Sequence, residues 1–219
     1  MGGSRGARML ARARHDPIEM STEALGKKKL TLVDRIGAHL SVAPIARVVR
    51  SYRDPDVLDI GCGYRAHVLL AIADHIRSGV GIDESVSELA RSHTKLRFLE
   101  GAAEQRLAEL PAASFDIVLM ISVLEHLWEP LDALKRCHEL LRAGGSLVLN
   151  VPNWAGKAFL ETSAFRLGWT TPDSIDDHKT YYSKRELWPL IVRAGFKPSR
   201  IRMQTHKLGL NLFAVAEKG

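Results

Sequence analysis

Apolar and polar positions along this chain switch between two periods, and the switching predicts strands interleaved with helices. From about Leu30 to Tyr52, Leu32, Ile36, Leu40, Ile45, Val48 and Val49 recur at helical spacing, and Pro44 marks a break or a helix start. One or two helices are expected there. Val57-Leu58-Asp59-Ile60 is a short apolar run ending in glycines, the pattern of a buried strand. A helix is expected over His67–Ile76, a strand at Gly79–Asp83, a helix near Ser85–His93 and a strand at Leu96–Leu99. Phe115–Ile121 reads as a fourth strand, Leu131–Leu141 as an amphipathic helix ended by Gly144-Gly145, and Ser146–Val151 as a fifth strand stopped by Pro152.

Residues 153–180 break this rhythm with Trp154, Gly156, Gly168, Trp169, Pro172 and a polar run. They are expected to form a long loop, and loops of that length in compact domains usually serve binding. A helix at Lys184–Ala194 and two strands near Arg200–Gln204 and Leu210–Ala216 complete the pattern, the strands joined as a hairpin through Gly209. Strands separated by helices require crossover connections. The fold class is therefore α/β: a doubly wound, Rossmann-like, seven-stranded and mostly parallel sheet with a C-terminal antiparallel hairpin strand.

Composition adds limits. The chain has 219 residues, 46% hydrophobic and 26% charged, which suits one soluble globular domain. No apolar run approaches the ~18–20 residues that span a bilayer. Cys62 and Cys137 lie inside expected elements without metal-ligand spacing, so they read as buried thiols of a reducing, cytoplasmic compartment. The net charge of +6 is uneven. Residues 1–53 hold 11 Lys/Arg against 4 Asp/Glu, and the remainder holds 20 against 21. Residues 1–28 are expected to be a basic, disordered arm, and residues 29–219 one folded domain. Such an arm suits peripheral contact with an anionic surface, or simply solubility.

Candidate chemistry gathers where strands meet turns. Gly61-Cys62-Gly63 follows the first strand, and glycines there permit unusual backbone angles and close approach to a ligand. With Ala66, this turn fits a nicotinamide fold about as well as other nucleotide folds. Asp59 shifts the balance. A carboxylate at the mouth of a buried strand is costly unless it meets a cation or several donors, and a dinucleotide pyrophosphate would repel it. Its alternative is a cap on the next helix or a partner for loop amides. Asp83 ends the second strand 20 residues after Gly63, where an acid can accept ribose hydroxyls or merely form a turn.

VLDIGCG, then GIDES, then SFDIVLMISVLEHL, then LLRAGGSLVLNVPN resemble, in order and spacing, the class I methyltransferases that use S-adenosyl-L-methionine (SAM). The resemblance covers about residues 55–152 and continues through DHKTYYSKRELWPLIVRAGF at 177–196, similar to the tail of bacterial type 11/type 23 small-molecule methyltransferases. It implies that Gly61, Cys62 and Gly63 pack on the methionine portion and Asp59 serves its ammonium. Asp83 would hold the ribose. Glu84 and the loop Gly101-Ala102-Ala103-Glu104 would lie beside the adenine, with Ala103 and Glu104 as contacts, and Ile121 near the transferred methyl. The sequence departs from the family at Ala102, where Asp is frequent, at Glu84, where an apolar residue is frequent, and at Tyr64-Arg65-Ala66, where the turn often ends in a third glycine.

A hydroxyl acceptor needs a base, and His126 of the Leu-Glu-His run and His178 are the candidates, each of which could equally be structural. Tyr181 and Tyr182 could bond an acceptor or pack. Related enzymes with a Glu-His pair bind a divalent ion through a second Glu three residues earlier. Ser122 stands there, and adjacent side chains on a helix diverge, so no metal is expected. The Asn/Asp-Pro-Pro-Tyr run of amino-group methyltransferases is missing after the fourth strand. The expected function is methylation of a small-molecule acceptor, at an oxygen of a saccharide, lipid-linked or secondary-metabolite substrate. RNA methylation, suggested by the basic arm, and a non-catalytic SAM-binding role are the alternatives.

Overall fold

The computed structural model describes residues 32–165 and 178–219. The basic arm expected at 1–28 and residues 166–177 lie outside the described residues. A helix, α1 (Leu32–Val49), precedes the sheet and runs through Pro44 without ending there, so a single helix stands where one or two were expected. Then follow β1 (Asp56–Ile60), α2 (His67–Ile72), β2 (Ser78–Asp83), α3 (Glu88–Arg91), β3 (Leu96–Glu100), α4 (Ala103–Glu109), β4 (Phe115–Ile121), α5 (Pro130–Leu140), β5 (Leu141–Pro152), α6 (Trp154–Phe165), α7 (Lys184–Arg193), β6 (Ile201–His206) and β7 (Asn211–Glu217).

Seven strands form one sheet in the order β3-β2-β1-β4-β5-β7-β6. β1 through β5 pair in parallel, and β7 runs antiparallel between β5 and β6. The strand order reverses between β1 and β4. In open α/β sheets the crevice beyond the strand C-termini at such a switch point is where ligands bind.

Period-two alternation divides the sheet between two cores. Leu58, Ile60, Met120 and Leu149 face Leu134, Leu187 and Ile191 of α5 and α7. Val57, Leu119 and Val148 face Ile45 and Val49 of α1 and Leu69 and Ile72 of α2. Both faces of β4 are buried from Ile117 to Met120, which explains the apolar run that follows Asp116.

Several expected boundaries move. The helix expected over His67–Ile76 is α-helical only to Ile72 and continues as a 3₁₀ turn at Ala73–His75. The helix expected near Ser85–His93 shrinks to Glu88–Arg91, with the Ser87 hydroxyl accepting from the Ala90 N–H. Gly144-Gly145 does not end α5. The helix stops at Leu140, and the glycines lie within β5, where the pairing with β4 shifts register.

The largest departure is in residues 153–180, expected as loop. Trp154–Phe165 is helix α6. The Asn153 side-chain oxygen accepts the Gly156 N–H at 2.8 Å, the bond of an N-cap, and its amide donates to the Gly209 carbonyl at 2.6 Å. A Cβ at Gly156 would fall 2.3 Å from the Leu210 carbonyl oxygen, so only glycine lets α6 lie this close to the β6–β7 turn. Among the described residues, no helix is long and apolar enough to cross a membrane.

Candidate active site

β1 ends in a bend rather than a further turn of strand. Gly61 and Gly63 have φ of +67° and +75°, values that side chains with a Cβ rarely adopt. The Gly61 and Cys62 N–H groups both donate to the Ile82 carbonyl, at 2.8 and 3.0 Å, tying the bend to the tip of β2. A Cβ on Gly63 would meet nothing within 4 Å, so this glycine opens onto free space. A Cβ on Gly61 would lie 2.3 Å from Val123 Cγ2. Gly61→Ala is therefore expected to combine left-handed strain with overpacking and to cost about 2–4 kcal/mol of stability. Urea denaturation checks this, and an unchanged midpoint would refute the tight packing.

Asp59 sits on the face of Val57, at the C-terminal end of β1. It is 1% exposed, and its Oδ2 has no hydrogen-bond partner among the protein groups. Burial, with the neighbouring Asp83 charge second, pushes its carboxyl up to about 8. The helix after the bend is not capped by Asp59: Ala66 holds the cap position, with no side-chain cap bond. Asp83 is half-buried at the tip of β2, and its Oδ2 accepts the Gly63 N–H at 2.7 Å. Desolvation raises its pKa, and backbone bonds from Gly63, Ser85 and Glu84 oppose the rise. The turn-holding role weighed for Asp83 is present, and it leaves acceptor capacity on a carboxylate with two oxygens.

Glu84 is exposed beside this pair. The expected loop Gly101-Ala102-Ala103-Glu104 is shorter than anticipated. Ala103 and Glu104 form the first turn of α4, Ala103 partly buried and Glu104 exposed. Cys62 is buried, and desolvation raises its thiol pKa strongly, so it is an unreactive wall of the bend. Ile121 is partly buried at the end of β4.

Beyond β4 the chain makes a left-handed step at Ser122 (φ +57°) and a 3₁₀ turn, Leu124–His126. The Glu125 carbonyl accepts the N–H groups of Lys179 and Thr180 at 2.8 and 3.2 Å. Those two bonds bring His178 onto His126, with ring centroids 4.7 Å apart and planes inclined by 30°. Tyr181 also stacks on His178, with ring centroids 5.3 Å apart. The two expected histidines thus belong to one cluster, while the glycines and acids of β1 and β2 form a second group across the same edge of the sheet.

Sequence reasoning did not select Glu125 or Asn150. Glu125 is 1% exposed and neither carboxylate oxygen has a protein partner; burial pushes its carboxyl up to about 8. Asn150, fully buried near the end of β5, has unpartnered side-chain oxygen and nitrogen. Its carbonyl accepts the Ser122 N–H at 2.8 Å. A polar residue inside the apolar run Leu147–Val151 was the available signal for Asn150. The expectation that adjacent Glu125 and His126 diverge is overturned, because they sit on a tight 3₁₀ turn and converge with His178.

Residues 25–200 match the family model described as "Methyltransferase domain". The chain is 33% identical over 146 residues to a protein named "Probable S-adenosylmethionine-dependent methyltransferase" from Mycobacterium tuberculosis, covering 64% of this chain and 48% of that one. The chain thus spans about half the length of these mycobacterial relatives. It is 28% identical over 173 residues to a ubiquinone biosynthesis O-methyltransferase of Vibrio vulnificus, covering 71% of this chain and 72% of the relative. Among solved structures, one described as a complex between the Haloferax volcanii Trm112 methyltransferase activator and a methyltransferase matches with TM-score 0.65 at 17% identity, over 90% of this chain and 97% of that one. A Burkholderia thailandensis 1,6-didemethyltoxoflavin-N1-methyltransferase with bound S-adenosylhomocysteine gives 0.62 at 20% identity, over 85% and 81%. These two likenesses show a shared fold. With the glycine bend, the two strand-tip acids and a family match over most of its length, this chain belongs to the methyltransferase domain family, and its cofactor is SAM.

Proposed function

We propose that the chain transfers a methyl group from SAM to an oxygen of a small organic acceptor, of saccharide, lipid-linked or secondary-metabolite type. The observation that carries the reading is the buried, unpartnered oxygen of Asp59 beside a glycine bend that opens onto free space. A lone buried carboxylate is unfavourable, and a cationic ligand resolves it. Those residues fit the cofactor: Asp59 faces its ammonium, Gly61, Cys62 and Gly63 line its methionine portion, and Asp83 takes the ribose hydroxyls with the oxygen it does not give to Gly63. Glu84, Ala103 and Glu104 flank the adenine, and Ile121 borders the reacting end.

SAM supplies a methyl already activated on a sulfonium. The protein's share is alignment and exclusion of water. The cluster of Glu125, His126 and His178 borders the acceptor side and takes up the proton that a hydroxyl loses as its oxygen bonds to the methyl carbon. The name of the Vibrio relative, an O-methyltransferase, supports oxygen as the acceptor atom.

A panel of hydroxylated and amino acceptors, assayed for S-adenosylhomocysteine release, tests the reading. Turnover with hydroxylated small molecules is expected, and turnover confined to amines would overturn the choice of oxygen. No salt-sensitive gel shift with RNA is expected. A shift at low salt, with methylated RNA as product, would replace the small-molecule acceptor.

A further inference from the structure

We propose that Glu125, His126 and His178 form a binding site for a divalent transition-metal ion of the zinc, manganese or cobalt class. Each residue offers one ligand atom, and these atoms all lie within 4.8 Å of one another. Metal–ligand distances of ~2.0–2.2 Å place the ligand atoms of a tetrahedral site ~3.3–3.6 Å apart, so the most separated pair must close by up to about 1.5 Å on binding.

The second observation is the state of Glu125. Its side chain is 1% exposed, and both oxygens lack a hydrogen-bond partner in the protein. Buried carboxylates are paired, or they coordinate metals. Asp59 shows the same signature, and its cation is the cofactor. The Lys207 charge acts on Glu125 from a distance, but no hydrogen bond joins them, so both carboxylate oxygens keep acceptor positions for an ion.

The frame that holds the ligands is made by backbone bonds. Glu125's carbonyl accepts from Lys179 and Thr180, and His126's N–H donates to the Val123 carbonyl at 2.9 Å. Chain segments 52 residues apart are therefore locked together before any ion arrives, which lowers the ordering cost of binding.

The donor set selects the ion. Two imidazoles and one carboxylate suit zinc and its first-row neighbours, whereas magnesium and calcium prefer oxygen ligands throughout. Three protein ligands also leave positions open, as in catalytic rather than structural sites. That an acceptor oxygen fills an open position rests on the methyl-transfer reading; ion binding itself does not. With an ion bound, the imidazoles would serve as ligands rather than as a base, so uptake of the acceptor's proton belongs to the ion-free cluster.

Calorimetric titration of the chelator-treated full chain with zinc chloride, manganese chloride and magnesium chloride tests the site. One equivalent of zinc is expected to bind at micromolar or tighter affinity, manganese more weakly, and magnesium least. Cobalt(II) should give visible absorption bands. His178→Ala and Glu125→Gln should each weaken zinc at least ~10-fold, and His75→Ala, an exposed control, should not. Circular dichroism establishes that each variant is folded. Absence of stoichiometric zinc binding, or equal affinity in folded His178→Ala and the parent, would overturn the site. A protein that binds zinc but methylates no hydroxyl would keep the site and sink the acceptor reading instead.

Discussion

Asp59→Asn is expected to make the protein harder to unfold and unable to hold its cofactor. In the ligand-free protein the Asp59 carboxyl titrates at about 8, against an ordinary 3.8, because it is buried and faces the Asp83 charge. The folded state therefore binds this proton more tightly than the unfolded state does. Stability falls as pH rises from about 4 to about 8, and the loss is complete above that. An amide carries no charge and avoids the loss. At pH 8 the variant should gain on the order of a few kcal/mol, read as a rise in Tm of about 5 °C or more. The gain should vanish below pH 4.

The same change removes the partner of the cofactor's ammonium. Truncating one member of a buried charge pair typically costs ~2–5 kcal/mol, so SAM affinity should fall between about 30-fold and several-thousand-fold. Wild-type affinity should climb with pH toward 8 as the carboxyl ionises, and the variant's should stay flat. Calorimetric titration at pH 6 and pH 8 measures both. Equal affinity in the two proteins would remove Asp59 from the cofactor site, whatever happened to Tm.

The second large effect lies at the opposite edge of the sheet. Asp56 Oδ1 accepts from Arg77 Nε at 2.8 Å and Ser78 Oγ at 2.7 Å, and its Oδ2 accepts from Arg142 Nη2 at 2.9 Å and from Arg77 Nη2. Its own N–H donates to Asp116 Oδ2 at 2.8 Å, and Asp116 also accepts from Arg142 Nη1 at 2.7 Å. Asp56 thus links the starts of four strands, its carboxylate reaching β2 and β5 and its backbone N–H reaching β4. Asp56→Ala takes the carboxylate from Arg77 and leaves Arg142 with Asp116 alone; both arginines are at least one-third exposed, so the ~3–5 kcal/mol of a fully buried pair is reduced by solvent. A loss of about 2–3 kcal/mol is expected, or roughly 4–12 °C in Tm. The arginines hold the Asp56 carboxyl well below the ordinary carboxylate range. Its contribution is present above pH 4 and fades as pH falls through the lowered pKa, so the two proteins should converge in strong acid. A constant gap across that range would show that Asp56 acts through packing alone.

Much of this molecule was legible in local patterns. Strand and helix alternation placed β4 to the residue and β1, β2, β3, β6 and β7 to within about two residues at each end, but missed Leu141–Gly145 at the start of β5, because a buried strand needs a short apolar run bounded by breakers and the glycines there read as a breaker. The glycine bend and the acids at 59 and 83 stood out for the same local reason. Helix α6 was hidden by Gly156 and two nearby tryptophans, although Asn153 was a usable N-cap signal. Gly144-Gly145 resembled a helix stop, but sequence alone does not distinguish that from an irregular strand entry.

What sequence determined alone was the order of elements, the strand-tip acids and the family, since each depends on neighbours within a few residues. Tertiary structure decided the rest. His126 meets His178 because the Glu125 carbonyl captures the backbone after residue 178, and Glu125 faces inward because a 3₁₀ turn replaces the helix that spacing implied. Asp56 became a hub only when four strand ends were laid side by side. Burial and proximity between distant segments arise from packing, and no local period encodes them.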